Sequence, residues 1–189
     1  MALVAWTLRD GIRSWACPSQ RGFVPRRNLA INVVEADCWS RETSMLADRA
    51  DCPCAFALDL TAAFPSMARS AFDRVLQQIQ MPLGFRRFVH ATHATTWALH
   101  AAASGHVWAY ALESGVQQGC PLAGLIFVLT FDAALRHLTA RLGSGSRTLG
   151  CADDVFVILR AAALLPELAW VFSLLRRATG LELNATLVF

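Results

Sequence analysis

Lysine is missing from this 189-residue chain, so all seventeen of its basic residues are arginine. No step that needs a lysine ammonium as acid, base or Schiff-base former can run on these residues. Charge is scarce too. Charged residues make up 16% of the chain, against roughly 25% in an average soluble domain, which excludes a disordered or highly charged tail protein. The N-terminus has no basic segment ahead of its apolar stretch and meets Arg9 and Asp10 early, so a secretory signal is not expected and an intracellular location is. Six cysteines in a chain of this length and hydrophobicity do not make a disulfide framework and read as reduced thiols. The most apolar run, residues 121–135, is interrupted by Asp132 and is shorter than the roughly 18–20 residues that span a bilayer, so it reads as a buried helix with no membrane partner.

What is present is apolar. Hydrophobic residues form 55% of the chain, and the net charge of +3 is too small to mark a basic nucleic-acid-binding arm. The length suits one domain with a sizeable core. Residues 22–27 read as a loop, followed by a helix over 28–49 carried by Leu29, Val33, Ala36 and Ala47. Cys52-Pro-Cys breaks that helix, and residues 55–60 read as a buried strand ending at Asp59. Ser66 is a candidate N-cap for a helix over 67–79, and a second helix is expected over 85–102. Residues 105–112 read as a strand, 121–142 as a long helix opened by Pro121, and 163–178 as a helix stopped by Gly180. Residues 147–152 and 155–159 flank Asp153-Asp154 as a tight hairpin, and 181–189 form a last strand. The pattern is α+β, with a small antiparallel sheet packed on helices.

Three carboxylates terminate apolar strands: Asp59, Asp153 and Asp154. Asp153 and Asp154 could serve only as turn formers, a role aspartate favours. Gathered together, the three would raise one another's pKa unless a divalent cation neutralised them. Oxygen-only ligands select hard ions such as Mg²⁺, and two such ions about 4 Å apart clamp both oxygens of a phosphoryl transfer. The glycine-rich SGVQQGCPL stretch at 114–122 is either a plain strand-to-helix turn or a surface on which a base or sugar approaches backbone, with Gln118 offering both donor and acceptor. Cys52-Pro-Cys54 and His90-x-x-His93 match none of the usual zinc spacings.

In order, these segments are DLTAAF at 59–64, GVQQGCPL at 115–122, CADD at 151–154 and GLELN at 180–184, with QRGFVPRR at 20–27 and Asn32 upstream. That series resembles the palm of a reverse transcriptase. It looks most like the polymerases of non-LTR retrotransposons, with group II intron enzymes as cousins. The resemblance implies a right-hand polymerase palm over about 55–189, part of the fingers over about 20–54, an N-terminal fragment at 1–19 and no thumb. It implies RNA-directed DNA synthesis with two Mg²⁺ ions, or Mn²⁺ in their place, on an RNA template, a DNA primer and deoxynucleoside triphosphates. Asp59 and Asp153 are the implied metal ligands, with Asp154 the accessory acid. Phe64 matches the aromatic that excludes a ribose 2′-hydroxyl, with a core phenylalanine as the rival reading. Gln118 and Gly119 match residues lining nucleotide and template, and Arg27 matches a fingers arginine that meets phosphate. Arg26 stands where the family usually has glycine, Cys151 where it has tyrosine or phenylalanine, and Leu187 where it has lysine. A catalytically inactive retroelement remnant that at most binds nucleic acid or a partner, and a metal-free helical scaffold, are the competing expectations.

Overall fold

The computed structural model describes residues 2–46, 51–94, 96–103 and 105–184. The chain begins with helix α1 (Ala2–Trp15), to which the sequence reading assigned no element, and continues through α2 (Leu29–Leu46) into strand β1 (Cys54–Leu58). A single helical turn, α3 (Ala63–Ser66), precedes α4 (Arg69–Gln78) and α5 (Leu83–Ala94). Strands β2 (Thr96–Ala102) and β3 (Gly105–Leu112) form a separate two-stranded hairpin. The long helix α6 (Ala123–Leu142) follows, then strands β4 (Arg147–Cys151) and β5 (Asp154–Leu159), and finally α7 (Leu165–Thr179).

The α+β architecture expected from the sequence is the one observed. Strand β5 lies between β1 and β4 in a fully antiparallel three-stranded sheet. Helix α2 packs against β4 and β5, while α6 lies against β4 and is flanked by α1, α4 and α7. Helix α6 is the centre of the core: Ile126, Phe127, Leu129, Phe131, Leu135 and Leu138 are almost wholly buried. Its 20 residues are long and apolar enough to cross a bilayer, yet most of the helix is buried inside the fold, which accounts for its composition.

Asp132 interrupts this apolar run and is completely buried. It survives there because both oxygens are satisfied: one accepts the Cys17 N–H, and the other pairs with Arg136 Nε at 2.5 Å. Arg136 also donates to the Trp15 carbonyl and lies over the Trp15 ring, so this buried carboxylate fastens the end of α1 to the core.

Four sequence expectations are corrected. Pro121 lies ahead of α6, whose N-cap is Leu122, and the β4–β5 turn is Ala152-Asp153 because Asp154 already belongs to β5. Ser66 does not cap the helix after it. It closes α3, and the chain then bends through Met67 in extended conformation before α4 starts at Arg69 with no side-chain cap. The bend buries Met67 completely and lets the Ala68 N–H reach the Thr179 carbonyl at 2.7 Å. The helix expected over 85–102 stops at Ala94, and Thr96–Ala102 is a strand paired with β3, as β-branched and aromatic residues at 96 and 97 favour. Of the expected last strand, Leu183 bridges Leu60 antiparallel. Residues 185–189, including Leu187, lie outside the described residues, as do residues 47–49 of the first expected helix.

Candidate active site

The carboxylates sit where the central sheet ends. Leu58 pairs with Val155 across β1 and β5, which sets Asp59 beside Asp154 one step further along. Across the other edge, Asp154 pairs with Cys151, closing the β4–β5 hairpin around Ala152 and Asp153. Asp59 and Asp154 line one cleft of about 710 Å³ between α2 and the open face of the sheet, together with Asn32, Cys151 and Asn184. Asp153 occupies the hairpin turn and is not part of that lining.

Asp154 carries the electrostatic imprint of this setting. The Asp154 carboxyl is pushed above its ordinary range, first by burial and then by the charges of Asp153 and Asp59. The Cys151 thiol is pushed up by burial and then by the charges of Asp154 and Asp153. Among the described residues no arginine forms a salt bridge with any of the three. Asp59 is instead held by Asn184, whose amide nitrogen lies 3.3 Å from Asp59 Oδ2 and whose backbone N–H donates to the Asp59 carbonyl at 2.8 Å. An uncompensated, oxygen-only group of this kind fits a hard divalent cation. Among the described residues no three acidic, histidine or cysteine side chains are already gathered around one point, so any ion would be held by an open set.

A second group forms on α3. The Phe64 ring stacks on Phe127 at 4.8 Å and meets Phe23 edge-on at 5.7 Å, so the ring is half-buried between core and surface. The glycine-rich loop is fastened to this turn: the Val116 N–H donates to the Phe64 carbonyl at 3.0 Å and the Gly115 N–H to the Met67 carbonyl at 2.8 Å. Gly115 has φ +77°, and a Cβ there would lie 2.6 Å from Pro65 backbone, so glycine is required. Gln118 and Gly119 lie exposed at the loop's far end, with open space around Gly119.

Arg27 lies apart from both groups. Its guanidinium donates to the carbonyls of Arg13, Ala16, Cys17 and Gln20, gathering the end of α1 and the segment after it. Its nitrogens are directed at backbone in this structure, not at an open phosphate position. Arg26 has φ +62°, a conformation that glycine adopts most readily. Of the zinc-like residues, His93 is buried against Phe72 and bonded to the Val89 carbonyl. Gln20, Asn32 and Asn184 stand in the motifs, but the sequence alone gives them no role. Each acts through a buried or edge-on amide contact that composition and spacing do not reveal.

The family described as reverse transcriptase (RNA-dependent DNA polymerase) matches residues 3–186, nearly the whole chain and all of the elements above. This chain belongs to the reverse transcriptase family. It is 29% identical over 197 aligned residues to the Retrovirus-related Pol polyprotein from type-2 retrotransposable element R2DM of Drosophila melanogaster, which bears out the resemblance to retrotransposon polymerases. That alignment takes in all of the chain but 18% of the relative. Solved telomerases share the fold. Apo telomerase from Candida tropicalis, truncated from its C-terminal domain, superposes with a TM-score of 0.71 at 13% identity, covering 98% of this chain and 39% of that one. Telomerase from Candida albicans in complex with a fragment of telomeric RNA gives 0.69 at 11% identity, covering all of this chain and 33% of that one. This reverse transcriptase chain therefore spans less than half the length of these relatives.

Proposed function

We propose that this chain supplies the palm, over about 55–189, and part of the fingers, over about 20–54, of an RNA-directed DNA polymerase that extends a DNA primer on an RNA template. The observation that carries the reading is the setting of Asp59 beside Asp154 at the sheet end, with Asp153 in the adjoining turn, inside a reverse transcriptase fold. Asp59 and Asp153 would hold two Mg²⁺ or Mn²⁺ ions, with Asp154 as accessory acid. Bound metal would supply charge neutralisation for the primer 3′-hydroxyl and the triphosphate oxygens during in-line displacement. The protein's own part is positional. Asn184 orients Asp59 from the side. The Phe64 ring, braced by Phe127 and Phe23, would close the space a 2′-hydroxyl needs, so that deoxynucleoside triphosphates are selected. Gln118 and Gly119 would meet the incoming nucleotide and template from the exposed loop.

Primer extension on an RNA template with Mg²⁺ or Mn²⁺, comparing wild type with Asp153→Asn, tests this reading. Extension abolished by the substitution supports it; unchanged extension removes Asp153 from the chemistry. A second reading, an inactive remnant that still binds RNA, is favoured by the open arrangement of the carboxylates, with Asp153 off the cleft lining. It predicts no extension at any metal concentration together with salt-dependent RNA binding.

A further inference from the structure

We propose that Gln20 is the positioning residue that fixes the aspartate-bearing turn, an inference that rests on the metal-binding reading of Asp153. Gln20 is completely buried. Its Oε1 accepts the Ala152 N–H at 2.9 Å and the Gly22 N–H at 2.8 Å, while its Nε2 donates to the Ala152 carbonyl at 3.2 Å. One side-chain amide thus satisfies both backbone groups of the residue immediately before Asp153.

The consequence is conformational. A two-residue hairpin loop has more than one accessible form, and these differ by rotation of a peptide plane. Ala152 already stands at φ +58°, which costs a residue with a Cβ of order 1 kcal/mol and persists only when neighbours impose it. Holding the Ala152 carbonyl fixes the plane of the 152–153 peptide, and with it the direction in which the Asp153 side chain leaves the backbone. Gln20 therefore does for the turn what a neighbouring strand does for a sheet edge.

The clamp is itself held. The Arg27 guanidinium donates to the Gln20 carbonyl at 2.6 Å, and the flanking backbone docks on β4 through Gly150 N–H to Ser19 carbonyl and Arg21 N–H to Gly150 carbonyl, both 2.8 Å. Asn32 Nδ2 adds a bond to the Gly150 carbonyl at 2.9 Å, and Arg21 bridges Asn32 to Glu35. Gly22 seals the contact, since a Cβ there would lie 2.0 Å from the Ala152 nitrogen. Arg27 thereby gains a role without touching phosphate: it presents Gln20 to the turn.

The test uses the full chain and Mn²⁺ titrated by electron paramagnetic resonance, at a temperature where each variant is folded by circular dichroism. Gln20→Met preserves side-chain length and removes all three bonds. Thr179→Val serves as control, because it deletes buried hydrogen bonds outside the turn. The inference expects Gln20→Met and Asp153→Asn each to weaken Mn²⁺ binding at least tenfold, and Thr179→Val to leave it unchanged despite a lowered Tm. Where primer extension is measurable, kcat falls in Gln20→Met at unchanged KM for nucleotide. Wild-type affinity in Gln20→Met alongside weakened Asp153→Asn overturns the role of Gln20 and leaves the metal site standing. Wild-type affinity in Asp153→Asn overturns the metal reading on which the inference rests. Should Gln20→Met not fold, hydrogen exchange on the wild type decides: slow exchange of the Ala152 and Gly22 amides supports the clamp, and exchange as fast as in an unstructured chain overturns it.

Discussion

Two aspartates experience opposite environments, and each makes its own prediction. Asp132 is buried but fully partnered, so its charge is tolerated. Asp132→Asn keeps the shape and weakens both partnerships; it should cost roughly 2–3 kcal/mol in urea unfolding, by the usual worth of hydrogen bonds to charged groups. Asp154 has the reverse problem: its neighbours are acids. Because its folded pKa is raised, its contribution to stability is fully present below the unfolded value and is lost as pH rises through the folded one. Without divalent ions, Asp154→Asn should therefore raise Tm at pH 7 and leave it unchanged near about pH 3, where both forms are neutral. Added Mg²⁺ should close the gap from the wild-type side. A thermal scan at the two pH values, with and without Mg²⁺, checks the sign.

Elements differ in how firmly the sequence announces them. Helix α6 declares itself through length and apolarity, and the β4–β5 hairpin through two strands around an aspartate pair, because each buries a face with its own period. Strand β2 carries no such mark. The β2–β3 hairpin stands away from the core with both faces largely exposed, so burial imposes little alternation on β2, and the alanines of β2 read as helix. The start of α4 was illegible for another reason: a tertiary bond, Ala68 to Thr179, sets it, and no local cap does. The aspartates were legible as strand ends, whereas the amides that hold them depend on segments more than a hundred residues away in the chain. The hairpin's isolation has a measurable counterpart. Trp97 and Trp108 pair at 5.2 Å on an exposed surface, so replacing both with threonine should move Tm by no more than about 2 °C. Phe127→Ala in α6 should cost about 3–5 kcal/mol by cavity formation.

At the scale of the whole molecule, the arginines are less available than their number suggests. Arg21, Arg27, Arg69, Arg136 and Arg147 are each engaged by carbonyls, side-chain oxygens or a tryptophan ring within the fold. These five guanidinia are committed inside the fold, and the net charge of the chain is only +3. Its affinity for single-stranded RNA should accordingly fall with salt on a shallow slope, no steeper than about −4 in log–log terms, by counterion release from a handful of contacts. Fluorescence anisotropy across a salt series measures it, and a much steeper slope would show that the internal pairs open on binding. The all-arginine composition beside thirty-two alanines looks like the imprint of GC-rich coding, which the nucleotide sequence tests. Arginine's planar fork suits the carbonyl-gathering that Arg27 performs, a task to which a lysine ammonium brings fewer fixed donors.

The contact between Gly22 and Ala152 also bears on how this sequence can vary. Most close contacts between residues are negotiable, because a larger side chain at one position can be matched by a smaller one at the other. Here the obstacle to a side chain at 22 is main chain, 2.0 Å away, and main chain cannot be trimmed by any substitution. The two positions should therefore behave unequally in a saturation library selected for fold. Position 152 should accept small residues, glycine best among them given its positive φ, while position 22 should return glycine alone whatever is placed opposite.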